Sequence, residues 1–156
     1  MLIKDRDELL KREEEAWSEF VAEVGRVPEH RRGDDGVVPG WSVTDLVFHN
    51  GRWAGVAAEK LAAIGAAGTA GEEDADEVWQ GKNAMWAAES KSMLYQEAMA
   101  RALEDRERAR AALQALPEVT DEAASWFQEE TFDHYQEHTE EVGRFADSIE
   151  AGAQGS

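Results

Sequence analysis

Two histidines four residues apart, His134 and His138, are the residues of this chain best suited to chemistry. On an α-helix, side chains at positions i and i+4 project from the same face, and a rise of ~1.5 Å per residue separates them by about 6 Å. Both imidazoles can therefore point at one cation, and imidazole nitrogen is a common metal ligand. The spacing predicts half of a metal site on one helix.

A third candidate ligand, His49, lies two turns into a segment that begins with Ser42, a typical helix N-cap residue. Like His134 and His138, it falls on the apolar stripe of its helix. Burying three unpaired imidazoles would cost free energy, whereas metal ligation satisfies one ring nitrogen of each and leaves the other for a hydrogen-bond acceptor. The fourth histidine, His30, lies in a charged loop and is predicted to be solvated.

The zinc-protease signature His-Glu-x-x-His is not the pattern here, because Glu137 precedes the second histidine instead of following the first. The motif therefore places no general base. Glu137, Glu141 and Asp133 are candidates for that role by position, and each is also typical of the solvent-facing side of an acidic helix.

The composition argues against several classes of partner. The chain has 34 acidic and 16 basic residues and a net charge of −18, which repels nucleic-acid phosphates. No stretch approaches the roughly 20 apolar residues needed to span a bilayer, and the N-terminal residues are charged almost at once. We therefore expect a cytoplasmic protein with no nucleic-acid or membrane partner. The chain contains 0 cysteines, so any thiol chemistry needs an external thiol.

Apolar residues recur at helical spacing and predict an all-α fold with four main helices, at about 4–24, 43–64, 77–116 (or starting near 83) and 131–150. Residues 12–15 of the first helix are expected to face water, and Leu103 of the third is expected to face the core. Thr120 is predicted to cap a short turn that holds Trp126 and Phe127.

The expected architecture is a four-helix bundle in which residues 1–150 form a single domain and residues 151–156 form a frayed tail. In such bundles, metal sites are commonly built from side chains on facing helices. The second and last predicted helices would then bring His49 to His134 and His138.

A resemblance to a known family rests on the sequence Pro39-Gly-Trp-Ser-Val-Thr-Asp-Leu-Val-Phe-His49, on Trp53 one turn later, and on His134-Tyr-x-x-His138 in the last helix. These features resemble the DinB-like superfamily of four-helix metalloproteins, which includes bacillithiol transferases and the N-terminal domains of mycothiol-dependent maleylpyruvate isomerases. The similarity extends over nearly the whole chain in helix order and length. It implies a DinB-type bundle, a His49, His134 and His138 triad that binds a divalent metal such as zinc or nickel, and often a homodimer.

The resemblance also implies an activity. Members of the superfamily activate low-molecular-weight thiols, so the expected function is a metal-dependent thiol S-transferase or isomerase that uses a mycothiol- or bacillithiol-type cosubstrate and an electrophilic substrate. Three histidine ligands leave at least one open coordination position, which is typical of a catalytic site. Trp53, one turn beyond His49, is the candidate pocket wall.

Two alternative functions stay open. The open position could bind water and make the protein a metal-dependent hydrolase. Alternatively, the metal could serve only stability in a non-catalytic metal-binding bundle.

Overall fold

The computed structural model describes residues 2–154, which form six α-helices and one short 3₁₀ turn at Glu29–Arg31. The helices are α1 (Arg6–Arg26), α2 (Val43–Ala67), α3 (Asp76–Ser90), α4 (Tyr95–Ala115), α5 (Asp121–Glu130) and α6 (Phe132–Gln154). No strand forms within these residues, where extended pairing is limited to an isolated bridge between Val38 and Trp41. The all-α prediction is confirmed.

The four long helices pack in two pairs, with α2 mainly against α4 and α1 mainly against α6. The shorter α5 contacts both α2 and α6, while α3 packs mainly on α2. No helix in the described part of the chain is both long and apolar enough to cross a membrane.

Small residues bring α2 and α4 into close contact. A Cβ atom at Gly51 would lie 2.5 Å from the Cα atom of Ala102, so only glycine fits at this point of α2. Buried positions of α4 are mostly small, and they recur at helical spacing at Ala98, Ala102, Asp105, Ala109 and Leu113. Leu103 lies outside this stripe and is 44% exposed, so the prediction that it faces the core is wrong.

The predicted third helix is in fact two helices, α3 and α4, separated by a turn at residues 91–94. The turn contains neither glycine nor proline, and long-range contacts hold it. The Ser90 hydroxyl donates to Asp45 Oδ1 at 2.6 Å, and Lys91 Nζ donates to Asp45 Oδ2 at 2.5 Å. Because Asp45 belongs to α2, no residue near the turn in the sequence predicts that α3 ends there.

The C-terminal third also differs from the prediction. Thr120 does act as an N-cap, but it begins the ten-residue helix α5 instead of a short turn. Thr131 separates α5 from α6, and its hydroxyl donates to the Phe127 carbonyl at 2.6 Å. Helix α6 continues to Gln154, beyond the expected end near residue 150, so residues 151–154 are helical. Residues 155–156 of the predicted tail lie outside the described residues.

Candidate metal centre

Reciprocal hydrogen bonds at the start of α2 position His49. Ser42 Oγ accepts from the Asp45 backbone N–H at 3.1 Å, and Asp45 Oδ2 accepts from the Ser42 backbone N–H at 2.8 Å, which together form a capping box. His49 follows Asp45 by four residues and is 8% exposed. Because side chains one turn apart share a helix face, the fixed helix start also fixes the face of α2 on which His49 lies.

A buried tyrosine sets the orientation of α6. Tyr135 is 0% exposed, and its hydroxyl donates to Glu13 Oε2 at 3.1 Å. Glu13 is also 0% exposed, so the expectation that residues 12–15 all face water is wrong at this position. With Tyr135 in the core, the neighbouring His134 and, one turn later, His138 lie on the flank of α6 and are only partly buried.

The three predicted histidines converge. Ring centroids lie 4.9 Å apart for His49 and His134, 5.0 Å for His49 and His138, and 4.9 Å for His134 and His138. One ring nitrogen from each residue lies within 4.8 Å of the other two, so the cluster could hold a metal ion. His30, by contrast, is exposed on the 3₁₀ turn, as predicted.

The nitrogen atoms of the cluster fit a metal in two respects. The Nε2 atoms of His134 and His138 are 3.2 Å apart, close to the ~3.3 Å that separates two ligands on a tetrahedral ion with Zn–N bonds of about 2.0–2.1 Å. In addition, Nδ1 of His49 is buried and has no hydrogen-bond partner within residues 2–154. A buried, unpaired ring nitrogen costs free energy that a ligand would offset.

Burial also keeps the site in the protonation state that metals require. Desolvation, reinforced by the nearby His138, lowers the pKa of His49 to about 3. Desolvation, together with His49 and His138, lowers the pKa of His134 to about 2. Both imidazoles are therefore neutral at physiological pH, with a lone pair available for coordination.

Two tryptophans enclose the cluster. The Trp53 ring stacks on His134 with centroids 5.6 Å apart and planes at 30°, while Trp41 meets His49 edge-on at 5.2 Å. Trp53 is itself held by α3, because its Nε1–H donates to Asn83 Oδ1 at 3.0 Å. Sequence reasoning missed Trp41 as a wall of the site, although this residue directly precedes the N-cap Ser42. Asn83 carries no sequence signal that would pair it with a residue 30 positions away.

Among the acidic residues considered as a general base, Glu141 is the one whose carboxylate contacts a histidine of the cluster. Its Oε1 atom lies 3.1 Å from Nδ1 of His138. Asp133 and Glu137 instead line a shallow surface depression with Gln136 and Glu140. The structure thus brings one carboxylate to the edge of the cluster, on the side of His138 that faces away from His134.

Fold and site together define an all-α protein with a candidate three-histidine metal centre. No protein-family model, no curated protein and no solved structure matches the chain. The resemblance to the DinB-like superfamily therefore stays a prediction, as do the homodimer and the cytoplasmic location.

Proposed function

We propose that the protein binds a divalent transition metal, zinc or nickel, through His49, His134 and His138 and uses it as a thiol S-transferase or isomerase. The convergence of the three imidazoles carries the proposal, since each supplies a ring nitrogen within 4.8 Å of the others. These ligands come from two helices that are far apart in sequence, α2 and α6. The DinB-like resemblance of the residues around them supplies the choice of thiol chemistry.

The residues of the site favour a neutral, open centre. The lowered pKa values of His49 and His134 keep both imidazoles unprotonated, so protons do not compete with the metal near neutral pH. Three nitrogen ligands leave at least one further position for an exogenous group. When bound, the metal would supply a Lewis acid that lowers the pKa of a cofactor thiol, so that the thiolate can attack an electrophilic substrate.

The lack of cysteine and the aromatic walls of the site favour a cosubstrate thiol over a sulfur nucleophile from the protein itself. The sequence contains 0 cysteines, so a sulfur nucleophile has to come from a small molecule such as mycothiol, bacillithiol or glutathione. The rings of Trp53 and Trp41, which contact His134 and His49, give the site apolar walls. Such walls exclude water from one side of the centre and strengthen electrostatic interactions within it.

Cobalt substitution tests the proposal directly. Thiolate bound to cobalt(II) gives a charge-transfer absorption band, so adding mycothiol, bacillithiol or glutathione to the cobalt-loaded protein should produce that band with at least one of them. His49→Ala should abolish the band or weaken it strongly, whereas His30→Ala, which removes an exposed histidine, should leave it unchanged. A metal-loaded protein that binds none of the three thiols contradicts the thiol mechanism.

Activity screening separates the proposal from its two rivals. A thiol-dependent enzyme turns over electrophilic substrates only when the thiol is present. Turnover without any thiol would instead identify a metal-dependent hydrolase. If His49→Ala lowers the melting temperature of the metal-loaded protein while a broad substrate screen gives no turnover, the metal serves stability alone.

A further inference from the structure

Glu141 contacts the metal centre without belonging to the three-histidine cluster. It lies one turn after His138 on α6, and its Oε1 atom is 3.1 Å from His138 Nδ1. Both side chains are largely sheltered, with 14% of His138 and 19% of Glu141 accessible. An ionised carboxylate that is largely sheltered from water needs a hydrogen-bond donor from the protein, because it can only accept hydrogen bonds.

We infer that Glu141 is a positioning residue that fixes the tautomer of His138 and prepares its Nε2 atom to bind a divalent metal. A carboxylate only accepts hydrogen bonds, so the hydrogen in the contact must be on His138 Nδ1. In a neutral imidazole the other nitrogen, Nε2, then carries the lone pair. The inference rests on the metal centre of the proposed function and is independent of the thiol reaction.

The Nε2 atom of His138 faces the other candidate ligand of α6, because it lies 3.2 Å from Nε2 of His134. With the hydrogen of His138 held on Nδ1 by Glu141, the lone pair of Nε2 is directed into the three-histidine cluster. His138 therefore needs no change of tautomer to ligate a metal, because its Nδ1–H would stay bonded to Glu141.

Glu141 should also strengthen the His138 ligand electrostatically. A carboxylate hydrogen-bonded to the outer nitrogen of a ligating histidine raises the basicity of the inner nitrogen, and its loss typically weakens metal affinity about 10–100-fold. Among the three histidines, His138 is the one whose outer nitrogen contacts a carboxylate within residues 2–154.

Histidine-specific ¹⁵N NMR tests the tautomer of His138. In metal-free wild-type protein, long-range ¹H–¹⁵N spectra should show His138 protonated at Nδ1. Zinc should leave the protonation of His138 unchanged. A wild-type protein with His138 protonated at Nε2 would overturn the inference, whatever its affinity for zinc.

Zinc affinity, measured by competition with a chromophoric chelator, tests the role of the charge. Glu141→Leu should bind zinc about 10–100-fold more weakly than wild type. Glu141→Gln keeps an acceptor oxygen and should preserve the His138 tautomer while losing part of the affinity. Glu140→Leu and Glu140→Gln make the same charge changes at the neighbouring exposed residue and serve as matched controls, with affinities near the wild-type value.

The outcomes separate the inference from the proposed function. If wild type binds zinc and Glu141→Leu binds it as tightly as Glu140→Leu, the role of Glu141 is overturned and the metal centre stands. If wild type binds neither zinc nor nickel, the metal centre itself is overturned, and Glu141 has no ligand to prepare.

Discussion

Two polar clusters lie beside neighbouring residues of α6, and they differ in how completely their hydrogen bonds are satisfied. The first is centred on Glu13, which is 0% exposed. Its Oε1 atom accepts from Arg106 and Arg110 at 2.9 and 2.8 Å, and its Oε2 atom accepts from Arg106 Nε and the Tyr135 hydroxyl at 2.6 and 3.1 Å. Every lone-pair direction of this carboxylate is in use, so the cluster has no capacity for a ligand.

The histidine cluster is unsaturated by comparison. His49 Nδ1 is buried without a partner in the described chain, and His134 and His138 share a single contact between their Nε2 atoms. A saturated buried cluster fixes structure, whereas an unsaturated one costs free energy unless a ligand binds. The two are linked because Tyr135 of the first cluster lies within the helical turn that joins His134 to His138. The saturated cluster holds α6 in the orientation that the unsaturated cluster needs.

The largest expected effect comes from removing both α6 ligands. If a complete zinc site contributes about 10–16 kcal/mol from four ligands, each ligand accounts for about 3 kcal/mol, and His134→Ala/His138→Ala should lose roughly ten-thousandfold in affinity. Metal content by inductively coupled plasma mass spectrometry should fall from about one metal per chain to a background level, while circular dichroism keeps its helical signal. His30→Ala is the control. Full metal content in the double variant would place the metal elsewhere.

A substitution in the saturated Glu13 cluster should lower the free energy of unfolding. Glu13→Gln removes a buried charge that two arginines compensate, and such changes typically cost 3–5 kcal/mol. Urea denaturation should show this loss in metal-free protein. Glu14→Gln is the matched control, because Glu14 pairs with the same Arg106 but is 56% exposed. Equal stabilities of the two variants would mean that the Glu13 cluster does not hold the fold as its geometry indicates.

A smaller effect is expected from pH. The pKa values of His49 and His134 are lowered to about 3 and about 2, so the unfolded chain takes up protons below about pH 6.5 while the folded, metal-free protein does not. Stability is therefore full above that pH and falls as the pH decreases, by up to ~1.4 kcal/mol per pH unit for each histidine.

One acidic residue opposes this trend. Burial, followed by the charges of Glu129, Glu137 and Glu73, raises the pKa of Glu130 to about 7, so its contribution is present at low pH and lost as the pH rises through that value. The free energy of unfolding can be compared between metal-free wild type and His134→Ala/His138→Ala at about pH 7 and about pH 5.5. Because both proteins contain Glu130, its contribution cancels when their pH dependences are compared. The wild type should lose more stability on acidification. The same pH dependence in both proteins would contradict the lowered pKa of His134.

Local signals explain what the sequence could predict. The spacing of His134 and His138 and the capping residue Ser42 involve only neighbours in the chain, so the start of α2, the all-α class and the three candidate ligands follow from the sequence alone. Tertiary packing then brings His49 of α2 to the two histidines of α6, although α2 packs mainly against α4 and α6 mainly against α1.

Long-range partners explain what was missed. Glutamate is usually a surface residue, and the burial of Glu13 depends on Arg106, 93 residues away. The break after Ser90 depends on Asp45, 45 residues earlier. Helical periodicity also predicted that the α6 histidines face the core, whereas Tyr135, one position along, occupies it. In each case a contact that exists only in the folded chain overrides the local preference.

Tyr135→Phe makes the smallest expected change and tests the link between the clusters. It removes one hydrogen bond to Glu13, which should cost about 1 kcal/mol, and it keeps the ring that packs edge-on against Trp17 at 5.2 Å. Because the ring still packs in the core and contacts Trp17, zinc affinity should change less than about twofold. Tyr135→Ala, which removes the ring as well, should weaken zinc binding together with stability, since His134 and His138 then lose the anchor of their helix. If Tyr135→Phe weakens zinc binding as much as Glu141→Leu does, the Glu13 cluster acts on the metal centre through its hydrogen bonds and not only through packing.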